Sequence, residues 1–567
     1  MKLKIKRTLL GLIFATEFFI RQTSKFIILP NHLFPLMPSK NISMETGNAA
    51  LDLALDTLNL GKQALVFANT KKSAEKTAED IAGKIKTSSK ELLQLSEKAL
   101  KALSSPTKQC QRLALCIKKG IAFHHAGLVA KQRELIEENF RNGTIKIICA
   151  TPTLAYGVDL PAYRSIIKDL KRYGSRGMAY IPVLEYLQMC GRAGRPKYDK
   201  EGEAICVAIS ENEKEKLYEK YVLGEPEDIY SKLAVEPVLR TYLLSLIAAN
   251  FVNTKKKIID FFEKTFWAHQ FFDMGKLEII IDKMLDLLEE WEFIEMESKK
   301  DDFVSADKIK DARTKFGTNF VGDNGAIRAT IMGKRVAELY IDPLTAYFFI
   351  DCLRKNSNKK VHEFSFLQMV SHTLEMRPLL RVGVKEQDKI QEELMRYYEL
   401  LFEKEPSLYE PEYEDFVNSK KTALMLNEWV NEKTEEYLLE NYNARPGELR
   451  GKMEIADWLL YATEEISRIL EFQHLNKEIV KLRLRLRYGV KEELLPLVRI
   501  KGIGRVRARK LYSNRIKDVG DVKNADLMKL SQILGNNIAL NLKKEVGQEI
   551  KEVPLGKRKG QISLGGY

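Results

Sequence analysis

The sequence predicts an α/β region followed by a mostly α-helical one, and three observations carry that reading. From about Leu51 to Tyr221, short apolar strand patterns alternate with helical periodicity, the alternation that yields a parallel sheet covered on both faces. Beyond Tyr221 strand signals thin out and apolar residues recur at helical spacing. Near the C-terminus, Leu497-Val-Arg-Ile-Lys-Gly-Ile-Gly-Arg505 sets two glycines between helical stretches, the pattern of a short hairpin.

Taken in order, a helical run over Leu51–Leu60 leads through Gly61 into Gln63-Ala-Leu-Val-Phe67, a buried-strand pattern. Asn69-Thr70 then supplies a cap for a helix beginning Lys71-Lys-Ser-Ala-Glu75. Further strand patterns are Gly120-Ile-Ala-Phe123, Ile145-Lys-Ile-Ile-Cys149 and Gly202-Glu-Ala-Ile-Cys-Val-Ala208. Helical periodicity is clearest over Ile279–Leu288, Lys420–Asn441 and Ala456–Phe472. No internal repeat or low-complexity stretch interrupts the chain, whose 567 residues suffice for three or four domains at roughly 100–200 residues each.

Composition narrows the function classes. Hydrophobic residues make up 45% and charged residues 30%, an ordinary balance for a protein with proper cores. The formal charge is +14, and residues 481–567 hold 21 Lys and Arg against 8 Asp and Glu. Such concentration is the footprint of a polyanion partner, although a solvated lysine-rich surface gives the same count. Six cysteines without a C-x-x-C pair argue against a zinc site or a disulfide framework, and for a reducing, cytoplasmic setting. In residues 1–47, an unassigned leader, Lys2, Lys4, Lys6 and Arg7 precede an apolar run from Leu9 to Ile20. That start has the shape of a signal peptide, but the run is short of the roughly 20 apolar residues a membrane span needs. An unstructured leader and no membrane partner are the expectation.

Three segments of the α/β region carry candidate chemistry: Val66-Phe-Ala-Asn-Thr-Lys-Lys72, Ala150-Thr-Pro-Thr-Leu-Ala-Tyr-Gly-Val-Asp-Leu-Pro161 and Gln188-Met-Cys-Gly-Arg-Ala-Gly-Arg-Pro196. Each follows a strand or adjoins a helix, where free backbone N–H groups and side chains meet phosphates. Arg192 and Arg195 are three residues apart, on one helical face. Singly, the arginines could be surface ion pairs and Asn69-Thr70 a mere helix cap. Together, in this order, they point to phosphoryl and phosphodiester chemistry. At the C-terminal hairpin, Gly502 and Gly504 let backbone approach a phosphate, with Lys501, Arg505, Arg507, Arg509 and Lys510 supplying charge.

The three segments resemble motifs IV, V and VI of superfamily 2 helicases, and His124-His-Ala-Gly-Leu128 resembles the intervening motif of the Ski-like branch. Gly177-Met-Ala-Tyr-Ile-Pro-Val-Leu-Glu-Tyr186 narrows the resemblance to the archaeal replication-fork repair DNA helicases of that branch, from about Leu51 onward. The resemblance implies a second RecA-like domain (48–222), a winged helix (223–310), a helical ratchet domain (311–485), a helix-hairpin-helix region (486–550) and a flexible tail (551–567). It implies single-stranded and forked DNA as partner and 3′-to-5′ unwinding driven by ATP and Mg²⁺.

By the same resemblance Arg192 and Arg195 are arginine fingers, Gln188 is a nucleotide sensor, and Gly157 and Asp159 lie near the nucleotide. Asn69, Thr70, Gly127, Thr151 and Thr153 would hold the tracking strand's backbone. Residues 168–183, with Tyr173 and Arg176, correspond to the β-hairpin that splits the duplex; Tyr173 as plain hairpin filler stays open. Trp458 matches a base-stacking tryptophan of the ratchet helix, or else a core tryptophan. Its arginine partner is displaced, with Gly451 at the matching position and Arg450 one step away. In the tail, Gln561, Leu564 and Tyr567 have the spacing of a sliding-clamp docking motif, against the alternative of a frayed end.

No G-x-x-x-x-G-K-[ST] or D-E-x-H occurs in these 567 residues. Two function classes follow. One is the C-terminal portion of a helicase, inactive until a phosphate-binding lobe is supplied. The other is a helicase-derived DNA- or RNA-binding protein without catalysis.

Overall fold

A computed structural model describes residues 45–297 and 325–547, except 87, 104, 157, 175–176, 195–198 and 200, together with 15–21, 27–28 and 42. The chain forms two compact units. The first comprises residues 1–229 and 443–450, the second 230–442 and 451–567.

The first unit is built on a parallel sheet in the order Gly202–Ala208, Arg164–Ile167, Ala64–Phe67, Ile147–Ala150, Ile121–His124. The three central strands are buried along their whole length, as near-continuous apolar runs between two helical layers require. Within the leader, Ala15–Arg21 runs parallel beside Gly202–Ala208. The helices Ala49–Asn59, Lys71–Lys84, Lys90–Leu100, Lys108–Ile117, Ala130–Arg141 and Val183–Cys190 accompany the sheet.

Arg164–Ile167 has no counterpart among the sequence-predicted strands. Its first two residues are polar, yet both are fully buried. The Arg164 guanidinium bonds Glu203, Asp56, the Thr57 hydroxyl and the Leu53 carbonyl. A buried cation with that many acceptors is tolerated where an isolated one is not.

The second unit is mostly helical. Helices Glu236–Ala248, Lys255–Phe262, Phe266–Phe271 and Met274–Glu290 precede an antiparallel pair, Ile294–Met296 with Ile327–Ala329. The second strand of that pair lies beyond residue 310. The single helical stretch expected over Lys420–Asn441 is two helices, Tyr413–Val430 and Glu435–Tyr442. They are parted where Glu432 takes a left-handed φ of 69°. Helix Pro446–Ile469 has proline at its first position, where a missing N–H costs nothing. Residues 490–546 close around a hydrophobic core of their own, including Leu494, Leu497, Ile503, Leu511 and Leu530. Among the described residues no helix is long and apolar enough to cross a membrane.

Candidate nucleic-acid interface

In the first unit, a groove of about 690 Å³ opens beyond the C-terminal ends of the sheet strands, the usual place for ligands on an open α/β sheet. Its lining includes Asn69, Thr70, Thr151 and Thr153, joined by Lys71, Lys72 and Arg172.

The sequence dictates how each is held. Thr70 is the N-cap of helix Lys71–Lys84, its hydroxyl accepting from the Ser73 N–H at 3.0 Å. Lys71 and Lys72 therefore stand on a first helical turn, whose free N–H groups favour an anion. Asn69 donates its side-chain amide to the Lys171 carbonyl at 2.6 Å, bracing the loop against the next hairpin. Thr151 and Thr153 flank Pro152 at the entry of a short 3-10 turn, their hydroxyls 2.9 Å apart. One of the two must donate to the other, which leaves the second proton for an external acceptor.

The hairpin pairs Lys171–Gly174 with Gly177–Tyr180. Tyr173 lies opposite Met178, and they are 72% and 63% exposed. An exposed pair of large apolar side chains at one level of a two-stranded ribbon is a ready stacking surface. The ribbon is anchored lower down. Arg172 bonds the buried Glu185 at 3.0 Å, and Lys171 pairs with Glu213 at 3.3 Å. Arg176 lies outside the described residues.

Gly127 is placed differently from the expectation that it holds the strand. Its N–H donates to His125 Nδ1 at 3.1 Å, and its carbonyl accepts from Gly447 N–H at 3.0 Å. Both polar groups are engaged inside the protein, and the residue of this turn that lines the groove is Ala126. Glycine is nonetheless required, because a Cβ at position 127 would collide with the Arg445 side chain.

The residues expected at the nucleotide lie elsewhere in the same unit. Arg192, half-buried, donates to the Ala155 carbonyl at 2.5 Å. Gln188 has its amide oxygen buried without a hydrogen-bond partner among the described residues, an unmet acceptor of the kind ligand sites retain. Asp159 is exposed, and its carbonyl accepts from Arg141. Gly157 and Arg195 lie outside the described residues. Among the described residues no cluster of acidic, histidine or cysteine side chains could hold a metal ion.

In the second unit, Trp458 is half-buried and donates its indole N–H to the Leu339 carbonyl at 3.0 Å. Arg450 is exposed. It precedes Trp458 by eight residues and falls in the first unit. Gly502 occupies the left-handed region at φ 83° between Leu495–Val498 and Arg505–Ser513.

Of the five hairpin cations, Lys501, Arg507 and Lys510 are exposed. Arg505 instead stacks over Trp429 at 4.4 Å and donates to the Lys433 carbonyl, and burial lowers its affinity for the proton. Arg509 pairs with Glu432 and with Glu493 at 2.9 Å. Gln561, Leu564 and Tyr567 lie outside the described residues.

Of the other groove residues, Arg172 and Glu185 lie inside segments the sequence marks without being singled out, and Arg445 and Glu448 lie in none. Arg445 and Glu448 are the most isolated in sequence, meeting Glu75 and Lys71 across 370 and 377 positions. No local signal marks them.

Residues 48–197 match the helicase conserved C-terminal domain, and residues 364–489 match domain 4 of archaeal helicases. The chain is 38% identical over 517 residues to the ATP-dependent DNA helicase Hel308 of Pyrococcus horikoshii, covering 90% of this chain and 67% of that protein. The Hel308 of Pyrococcus abyssi gives 38% over 515 residues, 89% and 67%. That of Methanococcus vannielii gives 36% over 551 residues, 93% and 70%.

Proposed function

The chain belongs to the Hel308 family of ATP-dependent DNA helicases, and on that premise we propose that it supplies the strand-holding and strand-splitting half of a 3′-to-5′ DNA unwinding cycle. The observation that carries the reading is the groove, which gathers Asn69, Thr70, Thr151 and Thr153 from two separate motifs beside the base of an exposed hairpin. Hydroxyls, an amide and a helix N-terminus contact a phosphodiester backbone without reading its bases. A motor that tracks along any sequence needs that indifference.

In this reading single-stranded DNA lies in the groove, and Tyr173 meets the last base pair of a fork. Residues 223–310, completed by the strand Ile327–Ala329, act as a winged helix, the rest of 311–485 as the ratchet domain, and 486–550 as a helix-hairpin-helix that grips backbone through Lys501, Arg507, Lys510 and the Gly502 turn. The Trp458 indole, tied to Leu339, has a fixed ring plane, and that suits a base-stacking platform.

ATP hydrolysis supplies the free energy for translocation in such a cycle. Gln188 and Arg192 are the described residues that would face the nucleotide, and the buried, unpartnered oxygen of Gln188 fits that placement. A Walker lysine and Mg²⁺-binding carboxylates are needed for hydrolysis, and these 567 residues contain no G-x-x-x-x-G-K-[ST]. The chain alone therefore binds DNA without turning over ATP, until a phosphate-binding lobe from outside these residues completes the site.

The test pairs two measurements on the purified 567-residue chain. Single-stranded DNA should bind, with affinity falling steeply in salt, while DNA-stimulated ATP hydrolysis stays at background. Failure to bind DNA would overturn the strand-holding role. Turnover abolished by Arg192→Ala would overturn the need for a second lobe.

A further inference from the structure

Beneath the groove lies a buried polar cluster that no step above uses. Glu75, on the helix that Thr70 caps, is almost fully buried. Its Oε1 accepts from His125 Nε2 at 3.1 Å, Gln109 Nε2 at 2.9 Å and Arg445 Nε at 3.1 Å, and its Oε2 from Arg112 Nη1 at 2.9 Å. Burial alone would push the Glu75 carboxyl up, but the His125 hydrogen bond and the Arg445 charge hold it well below the carboxylate range. His125 is itself fully buried, and burial lowers its proton affinity against the pull of Glu75. Because Gly127 N–H donates to Nδ1, the ring proton sits on Nε2 and points at Glu75. The imidazole is thus a neutral, fixed link between the carboxylate and the Ala126-Gly127 turn.

Arg445 closes the cluster from the far end of the chain. Besides reaching Glu75, its side chain packs where a Gly127 Cβ would stand. Two residues on, Gly447 lies so close to the Ala126 and Leu128 carbonyls that no side chain would fit. Glu448 accepts from the Arg445 backbone N–H at 3.0 Å and pairs with Lys71 at the groove edge. Arg445 itself lines the groove. A guanidinium there has two alternative uses: it can take a strand phosphate, or it can hold the wall in place.

We propose that Arg445 is a positioning residue of the strand groove. Clamped on Glu75, it fixes the Ala126-Gly127 turn and, through Glu448, the Lys71 ammonium, and it makes no phosphate contact of its own. The inference rests on the groove being the strand site. A direct phosphate ligand and a positioning residue predict opposite signs for one substitution. Glu75→Gln removes a negative charge and frees Arg445, so a direct ligand would bind the strand more tightly. A positioning residue loses its anchor, and the strand should bind about tenfold more weakly, the cost expected for disturbing a charged buried hydrogen bond.

The experiment measures single-stranded DNA affinity against salt for the full chain, Glu75→Gln, Arg445→Lys and Thr151→Ala/Thr153→Ala. Melting curves keep every assay below unfolding. Expected is weaker binding for both Glu75→Gln and Arg445→Lys with an unchanged salt slope, since no phosphate contact is lost. Tighter or unchanged binding by Glu75→Gln overturns the proposal. Should that variant fail to fold, Arg445→Lys decides alone: equal affinity, or a reduced salt slope, overturns it. If the threonine variant also binds as well as the parent chain, the groove reading itself has failed. If only that variant is impaired, the positioning role alone has failed.

Discussion

The groove of the first unit and the basic C-terminal module of the second hold their charges in opposite ways. Residues 481–567 contain 21 basic residues, yet many of those arginines are already engaged within the protein. Arg483 and Arg487 bond Asp457, Arg485 pairs with Glu363, Arg509 with Glu432 and Glu493, and Arg505 covers Trp429. The groove has no comparable excess, but presents neutral donors and a helix N-terminus to open space. Net charge alone therefore does not tell which cations are open to a polyanion. What counts is which donors remain available once the fold has used the rest.

The sharpest way to break this comparison is to strip the groove of its neutral donors. Thr151→Ala/Thr153→Ala removes two hydroxyls at no cost in formal charge, and single-stranded DNA should bind about tenfold more weakly per hydroxyl that contacts phosphate. Fluorescence anisotropy at fixed salt reads the change. An equal loss from any charge-neutral substitution on the far side of the sheet would make the effect nonspecific.

A smaller effect is expected in the C-terminal module, where the choice of cation matters. Lys501→Ala/Arg507→Ala/Lys510→Ala should flatten the dependence of log affinity on log salt by about 2, at roughly 0.7 per single-strand phosphate contact. Arg505→Ala/Arg509→Ala removes almost as much charge and should leave that slope unchanged. It should instead lower the melting temperature, because both side chains hold the module to Trp429 and Glu432. If both sets flatten the slope in proportion to their charge, Arg505 and Arg509 are not spoken for.

The smallest effect concerns pH. His125 has its proton affinity lowered from an ordinary value of 6.5, and Glu75 has its own lowered from 4.5. In both cases the unfolded chain binds protons more readily, so stability is complete above the ordinary value and is lost as pH falls through the folded one. The melting temperature should fall between about pH 7.5 and about pH 5, through His125 together with His124 and His362, whose proton affinities burial also lowers, and His125→Asn should reduce that dependence. A melting temperature that rises on acidification would mean that the fold raises the proton affinity of these histidines, against the Gly127 N–H donated to His125 Nδ1.

Much of the groove is legible in the sequence, because its contributors sit in short segments with their own local logic. Thr70 reads as a helix cap and is one; Thr151 and Thr153 bracket a proline at a strand end. What the sequence conceals is of two kinds. Arg164-Ser165 begins a central strand with polar residues, and distant partners (Leu53, Asp56, Thr57 and Glu203 for the arginine, the Met189 carbonyl for the serine) make that burial tolerable. Gly127 is visible as a motif residue, but its use is not, since Arg445 and Gly447 arrive from more than 300 positions away. Long-range pairing leaves no periodicity to read.

The most direct test of the central claim is where a bound strand touches the protein. An iodouracil-substituted single strand, crosslinked by ultraviolet light to the full chain, should label the peptide carrying Tyr156, which is exposed at the groove. The label should fade in Thr151→Ala/Thr153→Ala. Crosslinks confined to residues 490–546, with residues 150–158 unmodified, would contradict it.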